Sequence, residues 1–303
     1  MGQQYQLFFV QRFKGKVLFD VPMSEYTSLG IGGSADVMAF PKDEADLADL
    51  LIFASTKNFP VLVIGRGTNI LVREGGIRGI VVNMDEGFKD IDWTDDVKAI
   101  AGAGVTLSAL LKECRQKNLS GLEFAVDIPG SVGGAVAMNA GAYGKEMKDV
   151  VEGVEVISFK GKKGFFSAQE IGFSYRDTKI PKDSIITRAH MKFEKKEARL
   201  IDENISELRK RRNSEGAVKY RSAGSIFKNP PGLFAGKLIE EAGLKGKIVG
   251  DAQVSDVHAN YIVNRGHARA SDVLSLMAIV RDSVYGEKGI VLEPEIKVVG
   301  EDR

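Results

Sequence analysis

The sequence predicts a mixed helix-and-strand protein of two or three domains built around a long bound ligand. Three observations lead there. Short apolar runs of strand character alternate with a few amphipathic helical stretches along 303 residues, a length that holds more than one domain. Three glycine loops, at 30–33, 65–67 and 130–144, fall in the first half of the chain with short strands between them. A charged run, Glu194-Lys-Lys-Glu-Ala198, then marks a plausible boundary.

Residues 1–15 read as a short helix or a loose terminus, and 16–21 and 36–40 as strands flanking the first glycine loop. Asp43 can cap a helix to about residue 57, because Leu47, Leu50, Leu51 and Ala54 follow at helical spacing. The apolar run 60–64 has the character of a buried strand and ends in Gly65-Arg-Gly-Thr-Asn69. Strands are expected at 79–84, 91–94 and 97–101, and Thr106 can cap a helix to about residue 117. The apolar side of that helix carries Leu107, Leu110, Leu111 and Cys114. Strands at 150–159, 165–167 and 184–193 follow the third loop. Beyond the charged run, a helix bearing Leu200, Ile201, Ile205 and Leu208 ends in Arg209-Lys-Arg-Arg212, which suits the negative end of a helix dipole. A helix near 235–242 comes next, then one capped by Ser271 and running to about residue 285. The strand-like stretch 291–299 closes the pattern, with Pro294 at an edge or bulge.

The third loop, 128–144, holds five glycines, four alanines and no charged side chain. Glycine admits positive φ and close approach of a partner. Successive free N–H groups in such a turn form an anion-binding nest, and a short helix starting near Ser131 would add its dipole. Composition alone leaves two readings open, a phosphate cradle or a tight packing corner. Gly30, Gly32 and Ala35 spell G-x-G-x-x-A, but a strand follows where the dinucleotide fingerprint needs a helix, so a Rossmann domain is not expected. No lysine precedes Ser or Thr, which rejects a P-loop. Pro129 spoils a nucleophile elbow around Ser131. Three loops exceed what one phosphate needs and suit a ligand with a diphosphate, a ribose and two ring systems. The polar cluster around Ser225, Lys228 and Asn229 then suits a separate substrate.

A net charge of +1 argues against nucleic-acid binding. No apolar run approaches the roughly 20 residues of a membrane span, and Leu7-Phe8-Phe9-Val10 is too short for a signal-peptide core. One cysteine, Cys114, excludes an internal disulfide. His190, His258 and His267 lack metal-ligand spacing, so no metal is expected. A soluble cytoplasmic protein is expected.

Seven segments then occur in order: Tyr26-Thr-Ser-Leu-Gly-Ile-Gly-Gly-Ser-Ala-Asp36, Val63-Ile-Gly-Arg-Gly-Thr-Asn-Ile-Leu71, the loop 128–144, Phe173-Ser-Tyr-Arg-Asp177, Ser222-Ala-Gly-Ser-Ile-Phe-Lys-Asn-Pro230, Ala242-Gly-Leu-Lys-Gly246 and Leu292-Glu-Pro-Glu295. From about Val17 to Gly300 the chain resembles the UDP-N-acetylenolpyruvoylglucosamine reductases, flavoenzymes of peptidoglycan precursor synthesis. The resemblance implies an α+β fold: an FAD-binding part of the vanillyl-alcohol-oxidase (PCMH) type in two subdomains, 1–84 and 85–195, and a UDP-sugar domain, 196–303. In that fold Gly65, Arg66, Gly67, Thr68 and Asn69, with Gly130, Ser131, Gly133 and Gly134, would hold the FAD diphosphate through backbone N–H groups. Asn139, Ala140 and Gly141 would line the flavin.

The implied reaction passes hydride from NADPH through FAD to the vinyl carbon of UDP-N-acetylglucosamine enolpyruvate, and NADPH would use the substrate's own pocket. The charge that builds on the neighbouring carbon spreads into the carboxylate as an enolate. Arg176 aligns with the family's catalytic arginine, Ser225 with its proton donor and Glu295 with its third catalytic residue. Glu293 is two residues away on the same face of the expected strand. Without the resemblance, the same residues would read as a surface arginine, a turn serine and edge-strand charges. Lys228, Asn229, Lys245 and His258 align with substrate-contact positions. The connection from Asp177 to Asp183 has no room for the tyrosine-bearing loop of one subgroup, so the chain resembles the shorter one. A monomer is expected. Two alternatives predict otherwise: a flavin oxidase of the same fold, often with covalent FAD, and a UDP-sugar-binding protein that has lost Arg176, Ser225 or Glu295.

Overall fold

The structure, a computed structural model, describes residues 8–9, 11–214 and 220–302. Contacts divide them into two units. The first comprises residues up to Phe19, Val37–Arg66 and Gly79–Arg211; the second comprises Asp20–Asp36, Gly67–Arg78 and the chain from Arg212 on.

The first unit is built on a five-stranded antiparallel sheet, in the order Lys163–Ser167, Val151–Ser158, Ser184–Lys192, Lys98–Gly102 and Ile91–Trp93. The middle strand buries Ile185, Ile186, Thr187, Ala189 and Met191, the near-continuous run of a strand covered on both faces. His190 meets Glu155 of the next strand at 2.7 Å and lies edge-on to Phe165, a structural role that its alternation with apolar residues suggested. The parallel pair Val61–Ile64 and Ile77–Asn83 belongs to a second, four-stranded sheet. The helix Leu107–Gln116 starts at Thr106, whose hydroxyl accepts the Ala109 N–H, and buries Leu107, Leu110, Leu111 and Cys114. The helix Glu44–Thr56 starts at Asp43 and buries Leu47, Leu50, Leu51 and Ala54.

Asp46, only 3% exposed, holds this corner together. Its carboxylate accepts the N–H groups of Lys14, Gly15 and Lys42 at 2.8, 2.9 and 3.0 Å. The Phe8 ring stacks on Phe53, and Phe9 and Phe13 are buried. The described residues before Gly15 are therefore anchored; residues 1–7 and 10 lie outside the described ones. The helix Ala198–Ser214 follows the charged run, yet Leu208 joins the first core. Arg115 pairs with Asp202 and Arg209 with Asp127. Contacts therefore break at Arg212, and neither 84 nor 195 is a break between units.

The second unit carries an antiparallel sheet, in the order Arg221–Ser225, Tyr261–Asn264, Ala252–Val254 and Ile248–Val249. Its core includes Val273, Leu276, Met277, Val280 and Val284 of the helix Ala270–Lys288. That helix begins one residue before Ser271: Arg269 is the cap, and its N–H donates to the Asp272 carboxylate at 2.9 Å. Ile70–Val72, too short to stand out in sequence, pairs in parallel with Lys297–Val299. The expected strand 291–299 is regular only over those last three residues; Pro294 makes a single bridge to Phe227. The first glycine loop is a packing corner of this unit. A Cβ on Gly32 would lie 2.8 Å from Val72 Cβ, and one on Gly33 would lie 2.1 Å from Glu74 O. Steric need accounts for this loop without a ligand.

Two outcomes follow. Asp46→Ala leaves three part-buried N–H groups without their acceptor and costs about 2–4 kcal/mol in urea unfolding. Burial pushes the Cys114 thiol up to about 12, so Ellman's reagent at pH 8 leaves the native protein unmodified and titrates one thiol in urea.

Candidate active site

In the first unit the second and third glycine loops come together. A Cβ on Gly65 would fall 2.3 Å from Ser131 Oγ, so only glycine gives this approach its clearance. Residues 130 and 131 lie along the chain before the helix Leu107–Gln116: Thr106 bridges Ser131, and the Leu107 N–H donates to Gly130 O. Ser131 is the cap residue of the short helix Val132–Ala137, but its hydroxyl makes no capping bond. Arg66 and Gly134 are exposed. Gly133 has another task. Its N–H donates to Ala103 O at 2.9 Å, and a Cβ there would lie 2.7 Å from Ala103 Cβ. The Val132 N–H is likewise engaged by Val105 O. Neither amide is free for a phosphate. The small, uncharged residues Gly65, Gly130 and Gly134, with exposed Arg66 next to Gly65 in the chain, fit a dinucleotide cofactor.

Asn139 is fully buried, so its side chain does not line a flavin. All its polar atoms are engaged inside the unit. Nδ2 donates to Glu146 Oε2 at 3.0 Å and to Ser174 O at 2.9 Å, and Oδ1 accepts the Lys148 N–H at 3.0 Å. Ala140 is 8% exposed and bonded through both N–H and C=O. Gly141 is half-buried, and a Cβ there would lie 2.4 Å from Lys145 O.

Arg176 sits next to this segment. Ser174 and Asp177 exchange N–H···O bonds of 3.0 and 3.3 Å, leaving Tyr175 and Arg176 as the two residues of a tight turn. Arg176 has φ +57°, the sign required at the second central position of a type II turn, and uncommon for a residue with a side chain. Its guanidinium donates to Gly141 O at 2.8 Å and to Asn139 O at 3.4 Å, stands 3.9 Å from Glu146 Oε1, and lies over the Tyr175 ring. Residues 178–183 carry no element of their own before Ser184–Lys192, as the absence of an inserted loop requires.

Ser225 and Glu295 belong to the second unit. The ladder between Arg221–Ser225 and Tyr261–Asn264 slips between Ser222 and Ser225. Gly224, with φ +73° and open space where a Cβ would be, makes the irregularity possible. Such bulges re-aim the side chain that follows. Among the described residues the Ser225 hydroxyl has no hydrogen-bond partner. Behind it, Asn260 is 3% exposed and clamps both backbone groups of Phe227, with Oδ1 accepting at 3.0 Å and Nδ2 donating at 2.8 Å. The Glu295 N–H donates to Ile226 O at 2.7 Å, so this glutamate stands against the residue after Ser225. Asn69 Nδ2 donates to Glu295 O at 3.2 Å. Gly67 is buried with φ +60°, and Thr68 is half-buried. Glu293 is not Glu295's twin on a strand face, because the segment is irregular there. Its side chain is 74% exposed and pairs loosely with Lys228 at 3.8 Å. Asn229 Oδ1 accepts the Ala235 N–H, Lys245 pairs with Glu240, and His258 tilts onto the Tyr261 ring.

The structure thus brings Gly65 to Ser131, Arg176 to 139–146, and Glu295 to the segment after Ser225. Sequence reasoning missed Glu146, Asn260 and the bulge at Gly224. The only signals were a carboxylate just past a glycine stretch, an asparagine in the polar run 254–260, and a glycine before Ser225.

Fold and loops together define an FAD-dependent oxidoreductase. A family profile described as FAD binding domain matches residues 35–163, and one described as UDP-N-acetylenolpyruvoylglucosamine reductase, C-terminal domain, matches residues 216–299. A UDP-N-acetylenolpyruvoylglucosamine reductase of Syntrophus aciditrophicus is 44% identical over 292 residues, 95% of this chain and 93% of that one. One of Clostridioides difficile is 40% identical over 290 residues, 95% of each. The crystal structure of the enzyme from Thermus caldophilus superposes with a TM-score of 0.80 at 37% identity, covering 94% of this chain and 98% of that one. The chain belongs to the UDP-N-acetylenolpyruvoylglucosamine reductase family, which uses FAD and NADPH. The expected α+β class, an FAD-binding region followed by a substrate domain, is borne out. Among the described residues no helix is long and apolar enough to cross a membrane.

Gly224→Ala places a side chain in the left-handed region at a cost of about 1 kcal/mol. Because the added methyl meets open space, urea unfolding shows only that loss.

Proposed function

We propose that the protein catalyses the NADPH-dependent reduction of UDP-N-acetylglucosamine enolpyruvate to UDP-N-acetylmuramate, a step of peptidoglycan precursor synthesis, as a cytoplasmic monomer. In this reading residues 1–84 and 85–195 serve the cofactor and 196–303 the UDP-sugar. The observation that carries the proposal is the serine just past the bulge at Gly224: a hydroxyl with no hydrogen-bond partner among the described residues, with Glu295 bonded to the next residue.

Bound FAD would carry hydride from NADPH to the terminal vinyl carbon. The Gly65, Arg66, Gly67, Thr68 and Asn69 loop, with Gly130, Ser131 and Gly134, would hold it; Gly133, Asn139 and Ala140 would support that segment from behind. Arg176 would grip the substrate carboxylate, since a guanidinium stays charged and offers a bidentate fork. It would stabilise the enolate as charge moves into that group, the kind of preorganised stabilisation that often dominates a barrier. Ser225 would donate its hydroxyl proton to the carbon beside the carboxylate. A serine hydroxyl is a weak acid, so the enolate's basicity must drive the transfer. Glu295 would polarise the enolate together with Arg176. Lys228 and Lys245 suit the diphosphate. Asn229 would act by shaping the start of the helix Ala235–Glu241, and His258 through its place on Tyr261.

Stopped-flow measurement of the two half-reactions tests this. Ser225→Ala retains FAD reduction by NADPH and loses product formation by about 10³-fold or more. Loss of both together would make Ser225 a structural residue. Glu295→Gln slows reoxidation by the enolpyruvyl substrate, whereas Glu293→Gln leaves it within about twofold, in keeping with a surface pair. NADPH oxidation that ignores the enolpyruvyl substrate, or reoxidation of the flavin by oxygen alone, would favour an oxidase.

A further inference from the structure

The geometry points to Glu146, carried by Asn139, as the positioning residue for Arg176: a buried amide and a half-buried carboxylate fix where the guanidinium stands. The inference rests on the reading of Arg176 as the group that grips the substrate carboxylate.

Arg176 is held from three directions. Two carbonyls, Asn139 O and Gly141 O, accept from its guanidinium, and Glu146 Oε1 stands 3.9 Å away. Beside the two carbonyls, the Glu146 carboxylate adds a negative charge. Both Arg176 and Glu146 have side chains 16% exposed, so water screens this pair less than a surface ion pair. Glu146 is itself fixed. Its Oε2 accepts from Asn139 Nδ2 and meets Lys148 Nζ at 2.7 Å, while its own N–H donates to Asp149. Asn139 also holds the turn that carries Arg176, because the same Nδ2 donates to Ser174 O. One buried amide therefore sets both ends of the arginine: the backbone turn at its root and the carboxylate at its tip.

This placement has a chemical consequence. A turn residue with a long side chain and φ +57° would otherwise sample several rotamers. Glu146 keeps the guanidinium extended toward Asn139 and Gly141 before any substrate carboxylate arrives. A misplacement of about 1 Å at such a group can cost about 100-fold in rate. Removing Glu146 also removes a competing negative charge, so substrate binding does not weaken in parallel. A split between rate and affinity separates positioning from general damage.

The test uses the FAD-loaded protein and the two half-reactions. Glu146→Ala slows reoxidation by the enolpyruvyl substrate by about 10–100-fold. It leaves flavin content, NADPH reduction of the flavin and thermal midpoint near wild type, and KM for the substrate unchanged or lower. Glu146→Gln, which can still accept from Asn139, recovers most of that rate. In a double-mutant cycle Glu146→Ala and Arg176→Lys are strongly non-additive. Reoxidation within threefold of wild type in Glu146→Ala, or additive losses in the cycle, would overturn the inference while the reading of Arg176 stands. If Arg176→Lys alone leaves reoxidation intact, that reading fails instead. Asn139→Ala is expected to slow the same step; should it fail to fold, the Glu146 pair of variants decides.

Discussion

The candidate chemistry of the first unit hangs on one buried amide. Asn139 has no exposure, and each polar atom of its side chain is bonded to a different part of the fold. Such an amide is stable in a low-dielectric interior only while its partners stay in place, since an unsatisfied group there is costly. That makes it a strict constraint. The turn bearing Arg176, the carboxylate of Glu146 and the backbone of Lys148 must all converge on it. The glycine stretch before it supplies the slack: Gly133 packs on Ala103, and Gly141 lets the chain pass Lys145.

The second unit uses the same device. Asn260 clamps Phe227 through both backbone groups, and its own C=O accepts the Ile226 N–H. Ile226 O in turn accepts from Glu295. Ser225 is thus the end of a rigid segment, paired with Tyr261 in the ladder, and Gly224 lies in the irregularity just before it. With this support, the Ser225 hydroxyl has no hydrogen-bond partner among the described residues.

Much of this was legible in the residues. Caps at Asp43 and Thr106, the buried runs of the strands and the core position of Cys114 follow from local spacing and chemistry, and each formed as expected. The roles of the glycines did not follow. Loops 30–33 and 130–134 have similar compositions, yet the first packs against Val72 and Glu74 while the other meets Gly65 through Ser131. Composition cannot distinguish a glycine that clears a neighbour from one that clears a ligand, because both need only a missing Cβ. Contacts divide the chain at Arg212 rather than at the charged run for a related reason. Charge marks solvent exposure, whereas the helix beyond it stays with the first unit through Leu208 and two ion pairs.

By itself the sequence determined the elements, the order of the glycine segments and the family, since these depend on residue type and short spacing. It also singled out Arg176, Ser225 and Glu295 through the segments that carry them. Only the tertiary structure decided that Asn139 faces inward, that Gly133 has no free N–H, and that Glu295 bonds to Ile226, the residue after Ser225, while Glu293 bonds to Lys228. Each of these is settled by a partner 30 or more positions away, such as Ser174, Ala103 or Ile226. Local sequence has no term for such a partner, and folding alone brings it within the roughly 3 Å at which a hydrogen bond forms.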